Sequence, residues 1–119
     1  MFYIINYSSE IFFINNNAFG LTVKTEKQEN VKITDKELEN DEFLIVENLK
    51  KYFEKEIKNK KIKKISKKDF QVQGSFVIKI KFVDIDEAIV EIKSYGFEGT
   101  NSDLVKLEFR KKDRIWEKI

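Results

Sequence analysis

Two groupings of residues in this chain have the types and spacing for acid–base or metal chemistry. Glu91 and Tyr95 share one parity of an alternating stretch, which would set a carboxylate and a phenol on one sheet face. Such a pair, turned into an apolar pocket, could move a proton and hold the charge that develops. Lys93 has the same parity, so an ion pair between Glu91 and Lys93 is the simpler expectation. Asp84, Asp86 and Glu87 form an acidic turn whose alternate carboxylates could share a divalent cation through oxygen. The turn is short and lacks the glycine of a calcium loop, so the expected role is an ordinary reversal of the chain.

What is missing narrows the chemistry further. The 119 residues contain no histidine, cysteine or proline. Thiolate nucleophiles, disulfides and zinc–thiolate sites are therefore excluded. The commonest acid–base group and metal ligand is missing too. Any catalysis would rest on Asp, Glu, Lys, Tyr, Ser or Thr. The expectation is that the chain is not an enzyme and carries no cofactor and no metal.

The sharpest electrostatic feature is a run of ten lysines at positions 50–68: Lys50, Lys51, Lys55, Lys58, Lys60, Lys61, Lys63, Lys64, Lys67 and Lys68. Against Glu54 and Glu56 they give a local charge of +8, while residues 1–49 carry −5 and the whole chain +2. Lys58, Lys60, Lys61, Lys63, Lys64, Lys67 and Lys68 are the candidate contact residues for an acidic protein partner. The only arginines are Arg110 and Arg114. Lysine is a hydrated point charge without arginine's bidentate fork, so any nucleic-acid binding should be weak and sequence-indifferent. The bland alternative is a solvated helix end and loop in a lysine-rich proteome.

These residues need elements to hold them. Thr34-Asp35-Lys36-Glu37 matches a capping box, and Leu38, Ile45, Leu49, Tyr52, Phe53 and Ile57 recur at helical spacing. A helix over about 35–59 is expected, acidic at its start and basic at its end as the dipole favours, with a break near Asn40. From Phe70 the period switches to two. Strands are expected at 69–83, bent at Gly74, and at 88–97, 104–110 and 114–119, with turns at 84–87, 98–102 and 111–113. Ile45, Leu49, Phe53, Phe76, Ile78, Ile80, Val90, Leu107 and Phe109 are the expected core.

The first third is harder to place. Residues 2–7 and 11–14 are aromatic and β-branched runs, and Ser8-Ser9-Glu10 between them suggests a hairpin turn. Phe19, Leu21 and Val23 mark a third strand, followed by a polar loop at 24–33. Phe2, Tyr3, Ile4, Ile5, Phe12, Phe13 and Ile14 must pack in the core, close a dimer or meet a partner, and strands within 2–23 are expected to extend the main sheet or bury their aromatics in a homodimer contact. No Lys or Arg precedes Lys24, and polar residues break the apolar runs. Neither a signal peptide nor a membrane span is expected, and a cytoplasmic location follows.

One helix followed by a four-stranded meander, ending in "LVKLEFRKKDRIWEKI", resembles NTF2-like and cystatin-like small domains over residues 35–119. The resemblance implies an α+β fold: one amphipathic helix packed on a bent antiparallel meander sheet, here with an extra N-terminal β-hairpin, all in one domain. NTF2-like domains include enzymes, immunity proteins against bacterial toxins, lipoprotein domains and transport factors. The combined expectation is a non-enzymatic protein-binding module, of the bacterial immunity- or regulatory-protein kind. The alternative is an electrostatic binder of nucleic acid or anionic surfaces through residues 50–68.

Overall fold

The computed structural model describes residues 1–14, 17–58, 72–95 and 104–119. They form β1 (Phe2–Ile14), β2 (Asn17–Gln28), α1 (Asp35–Lys58), β3 (Val72–Asp84), β4 (Glu87–Tyr95), β5 (Val105–Lys112) and β6 (Ile115–Lys118). The six strands make one sheet in chain order, β1-β2-β3-β4-β5-β6. The architecture is α+β, with the helix packed on one face of the sheet.

Local chemistry accounts for the helix. The Thr34 hydroxyl accepts a hydrogen bond from the Glu37 N–H at 3.1 Å and caps the first turn. Asp35 and Glu37 place negative charge at the positive end of the helix dipole. Leu38, Ile45, Leu49 and Phe53 recur on one face and are fully buried against the sheet. The helix runs through Asn40 without a break.

The sheet is mixed, which corrects the all-antiparallel expectation. β3 to β6 form the expected antiparallel meander. β2 and β3, however, are parallel neighbours, with Leu21 opposite Phe76 and Val23 opposite Ile78. Parallel neighbours need a crossover, and α1 supplies it. The N-terminal hairpin also differs from expectation. Ser8, Ser9 and Glu10 lie inside β1, opposite Val23, Thr22 and Leu21, and the hairpin closes where Ile14 meets Asn17. β2 continues to Gln28, so the first half of the expected loop at 24–33 is strand.

Strand ends shift by a few residues from expectation. Gly74 lies within an uninterrupted β3, opposite Phe19 and next to a register shift. Phe70, Gly96, Phe97 and the expected turn at 98–102 lie outside the described residues. The last turn is Asp113-Arg114, with φ of 53° and 67°. Two positive φ values in a two-residue loop match the hairpin turn whose twist suits antiparallel strands. Lys111 and Lys112 consequently belong to β5.

The face toward α1 is the core. Phe12, Phe19, Leu21, Val23, Phe76, Ile78, Ile80, Phe82, Val90, Phe109 and Trp116 join the four helix residues in one buried cluster. Of the nine expected core residues, Leu107 alone is only partly buried. Among the described residues one core group is unpaired: the Thr25 hydroxyl is fully buried and lacks a hydrogen-bond partner. Thr25→Val keeps the β-branched shape and removes that uncompensated hydroxyl. It should raise the unfolding free energy by about 1 kcal/mol. A urea titration showing loss of stability would mean that the hydroxyl is satisfied in solution.

Candidate functional site

The face of the sheet turned away from α1 is built by strand alternation. Phe12 and Ile14 point into the core, so Tyr7, Ser9 and Ile11 of β1 point to the opposite side. Register then lines up three rows across the sheet. One runs Tyr7, Lys24, Lys79, Glu91, Lys106; the next Ser9, Thr22, Val77, Lys93; the third Ile11, Gly20, Ser75, Tyr95. Tyr7 is 66% exposed, Ile11 49%, Tyr95 43% and Val77 37%. Exposed aromatic and aliphatic groups thus stand among lysines, with the small Gly20 and Ser75 between Ile11 and Tyr95.

Glu91 is the one carboxylate in these rows, and its partner is not the one expected. Lys93 is exposed, whereas the Lys81 ammonium lies 2.7 Å from the Glu91 carboxylate. That hydrogen bond holds the Glu91 carboxyl below its ordinary range. Burial opposes the shift, and the charges of Lys81, Lys79 and Lys106 reinforce it. Tyr95 lies four residues along the strand, roughly 13 Å away at the usual rise. The candidate Glu91–Tyr95 acid–base pair is therefore not assembled.

The depressed Glu91 value has a consequence for stability. Its contribution is fully present above the ordinary glutamate pKa and is lost as pH falls through the lower folded value. The stability difference between the parent and Glu91→Gln should be constant above about pH 5 and shrink below about pH 4. Urea midpoints at several pH values check this, and a difference that does not change with pH would contradict it.

The acidic turn behaves as a turn. The Asp84 carboxylate accepts from the Ile85 N–H at 2.7 Å, and Asp84 pairs with Glu87 across the reversal. Among the described residues, no group of three or more Asp or Glu is placed to hold a metal ion.

On the helix side, a cleft of about 260 Å³ lies between β1 and α1, lined by Asn6, Glu10, Glu42, Phe43, Glu47 and Lys50 among others. Among the described residues, three of its four acids, Glu10, Glu42 and Glu47 but not Glu39, have side-chain partners. The Asn6 amide donates to both Glu42 oxygens at 3.0 and 3.1 Å, and Lys50 bridges Glu10 at 2.9 Å and Glu47 at 3.4 Å. Burial pulls the Lys50 pKa down. The Glu10 hydrogen bond and the charges of Glu10 and Glu47 outweigh it and leave the ammonium above its ordinary value. Lys50 thus holds β1 to α1.

Of the lysine run, Lys50, Lys51 and Lys55 lie on the described helix with their side chains, and Lys50 is engaged as above. Lys58 ends α1. Lys60, Lys61, Lys63, Lys64, Lys67 and Lys68 lie outside the described residues, as does the side chain of Lys58. Sequence reasoning missed the lysines of the open face, Lys24, Lys79, Lys93 and Lys106. The signal was the polar parity of β3 and β4, already visible as Lys79, Lys81 and Lys93.

No helix among the described residues is long and apolar enough to cross a membrane. The chain matches no protein-family model, and no curated protein or solved structure matches it.

Proposed function

We propose that this chain is a non-enzymatic protein-binding module whose partner is an acidic protein, held on the helix-free face of the sheet. One observation carries the reading: Tyr7, Ile11, Val77 and Tyr95 are exposed on one face with Lys79, Lys93 and Lys106, while Lys24 is paired with Glu26 and Glu91 with Lys81. Aromatic groups anchor protein interfaces. Surrounding lysines steer and select a partner of opposite charge. The aliphatic groups and the absence of arginine from these rows favour protein over nucleic acid. Among NTF2-like domains, which residues 35–119 resemble, immunity proteins have such a role.

The test compares the chain with a Lys79→Glu/Lys93→Glu/Tyr95→Ala variant as bait for proteins of the source cell. The recovered protein is then purified and titrated against both. Saturable binding by the parent, weakened at least roughly tenfold in the variant and by added salt, is expected. Equal binding by both would overturn the reading. So would nucleic-acid binding that is sequence-selective and survives physiological salt, since that would promote the alternative.

A further inference from the structure

The two edges of the sheet are unlike. β6 is four residues long and carries Glu117 and Lys118, which is how natural sheets blunt an edge. β1 is thirteen residues long, and Glu10 is its only charged residue. Each of β2 to β6 contains lysine, whereas β1 contains none. The Glu10 carboxylate is tied through one oxygen to Lys50 on the helix side, at 2.9 Å, so its charge at the edge is partly offset. Ile4, Tyr7 and Ile11 are each about half exposed or more. Among the described residues no strand covers the outer side of β1.

We infer that a second copy of this chain pairs with β1, antiparallel about Ser9, and joins the two six-stranded sheets into one. The choice of occupant comes from charge and register. A two-fold axis perpendicular to the sheet keeps both helix-free faces on the same side, so the pairing must centre on a residue. Centring on Glu10 sets two carboxylates directly opposite, which is destabilising. Centring on Ser8 sets Ile11 against Ile5, at the register shift between Ile4 and Asn6. Centring on Ser9 keeps the carboxylates apart, leaves the register shift farther from the axis, where Ile5 faces Phe13, and alone of the three sets Tyr7 against Ile11. Tyr7 then faces Ile11 of the second copy twice, an aromatic–β-branched pair. Ser8 faces Glu10, a hydroxyl donor opposite a carboxylate acceptor. Ser9 faces Ser9, and two small groups sit on the axis. The strand is complementary to itself and needs no second chemistry.

The acidic-partner face includes Tyr7 and Ile11 of β1, so the two readings overlap there; variants separate them, Lys79, Lys93 and Tyr95 lying on β3 and β4 and Ser9 on the edge strand. The chain has no cysteine, so Ser9→Cys introduces the only thiol. In the proposed register that thiol meets its own copy. Thr22→Cys, beside Ser9 on the inner strand β2, is the control. Sedimentation of the full chain at about 100 µM should show a dimer, within reach of a small interface. Oxidation should convert Ser9→Cys to a disulfide dimer of unchanged circular dichroism, much faster than Thr22→Cys. Ser9→Lys sets like charges opposite each other and should weaken the dimer by on the order of tenfold or more. A monomeric parent, cross-linking of Ser9→Cys no faster than of Thr22→Cys, or a Ser9→Lys dimer as tight as the parent would each overturn the inference. A monomer that still binds an acidic protein, and loses it in the Lys79→Glu/Lys93→Glu/Tyr95→Ala variant, would sink the dimer and leave the functional reading standing. A dimer that binds no such protein would do the reverse.

Discussion

Phe76→Ala should cost about 3–5 kcal/mol of stability, the range for removing a buried aromatic ring from a packed core. Phe76 is where four elements meet. Its ring stacks on Phe53 of α1 at 4.0 Å and 9°. It also lies 6.2 Å from Phe12 of β1 and 6.3 Å from Phe19 of β2. Truncation removes the stack and leaves a cavity between helix and sheet that rigid neighbours cannot close. Val77, the next residue, points to the opposite face and is 37% exposed. Val77→Ala should therefore cost less than about 1 kcal/mol. Urea unfolding of both variants is the measurement. A Phe76→Ala protein within about 1 kcal/mol of its parent would show that α1 does not sit on this face.

Asp41→Ala should be the second large loss, about 2–4 kcal/mol, because it strands a buried donor and breaks a largely buried ion pair. Asp41 lies on α1 and is only 4% exposed. One of its carboxylate oxygens accepts from the Trp116 indole N–H at 3.1 Å, and the other from Lys111 at 3.3 Å. Lys111 also lies 5.6 Å over the Trp116 ring, and the Asn48 amide donates to the Trp116 carbonyl at 2.7 Å. Three contacts therefore bind the last hairpin to the middle of the helix. Trp116→Phe keeps most of the ring and removes the indole donor. In a double-mutant cycle, Asp41→Ala and Trp116→Phe should cost less together than the sum of their separate effects. Strict additivity would show that the indole–carboxylate bond contributes nothing.

The proposed partner surface was only half legible beforehand. The lysine run at 50–68 is conspicuous in sequence because its members are crowded into one short stretch. Lys24, Lys79, Lys93 and Lys106 are scattered over more than eighty positions, and only strand register gathers them. Glu91 teaches the same lesson on a smaller scale. Lys93 has its parity and is close in sequence. Yet residues two apart in a strand are separated by roughly 6–7 Å of rise, whereas Lys81 reaches Glu91 from the neighbouring strand.

Local physics, written in the sequence alone, determined the helix and the meander. A threonine cap, acids in the first turn and leucines at helical spacing act within one or two turns of α1. Period-two alternation from β3 onward says which side chains share a face, and Gly74 did not interrupt it. Tertiary structure decided which strands are neighbours. Alternation is the same for parallel and antiparallel pairing, so nothing local says that β2 lies beside β3 or that β1 is left at the edge. Ser8, Ser9 and Glu10 look like a turn because polar residues interrupt an apolar run. They remain in a strand because Ser8 and Glu10 line the cleft beside α1 and Ser9 is exposed on the open face, so none has to be buried. Asp41 and Trp116, 75 residues apart, are joined only when the crossover helix and the closing hairpin pack on the same face.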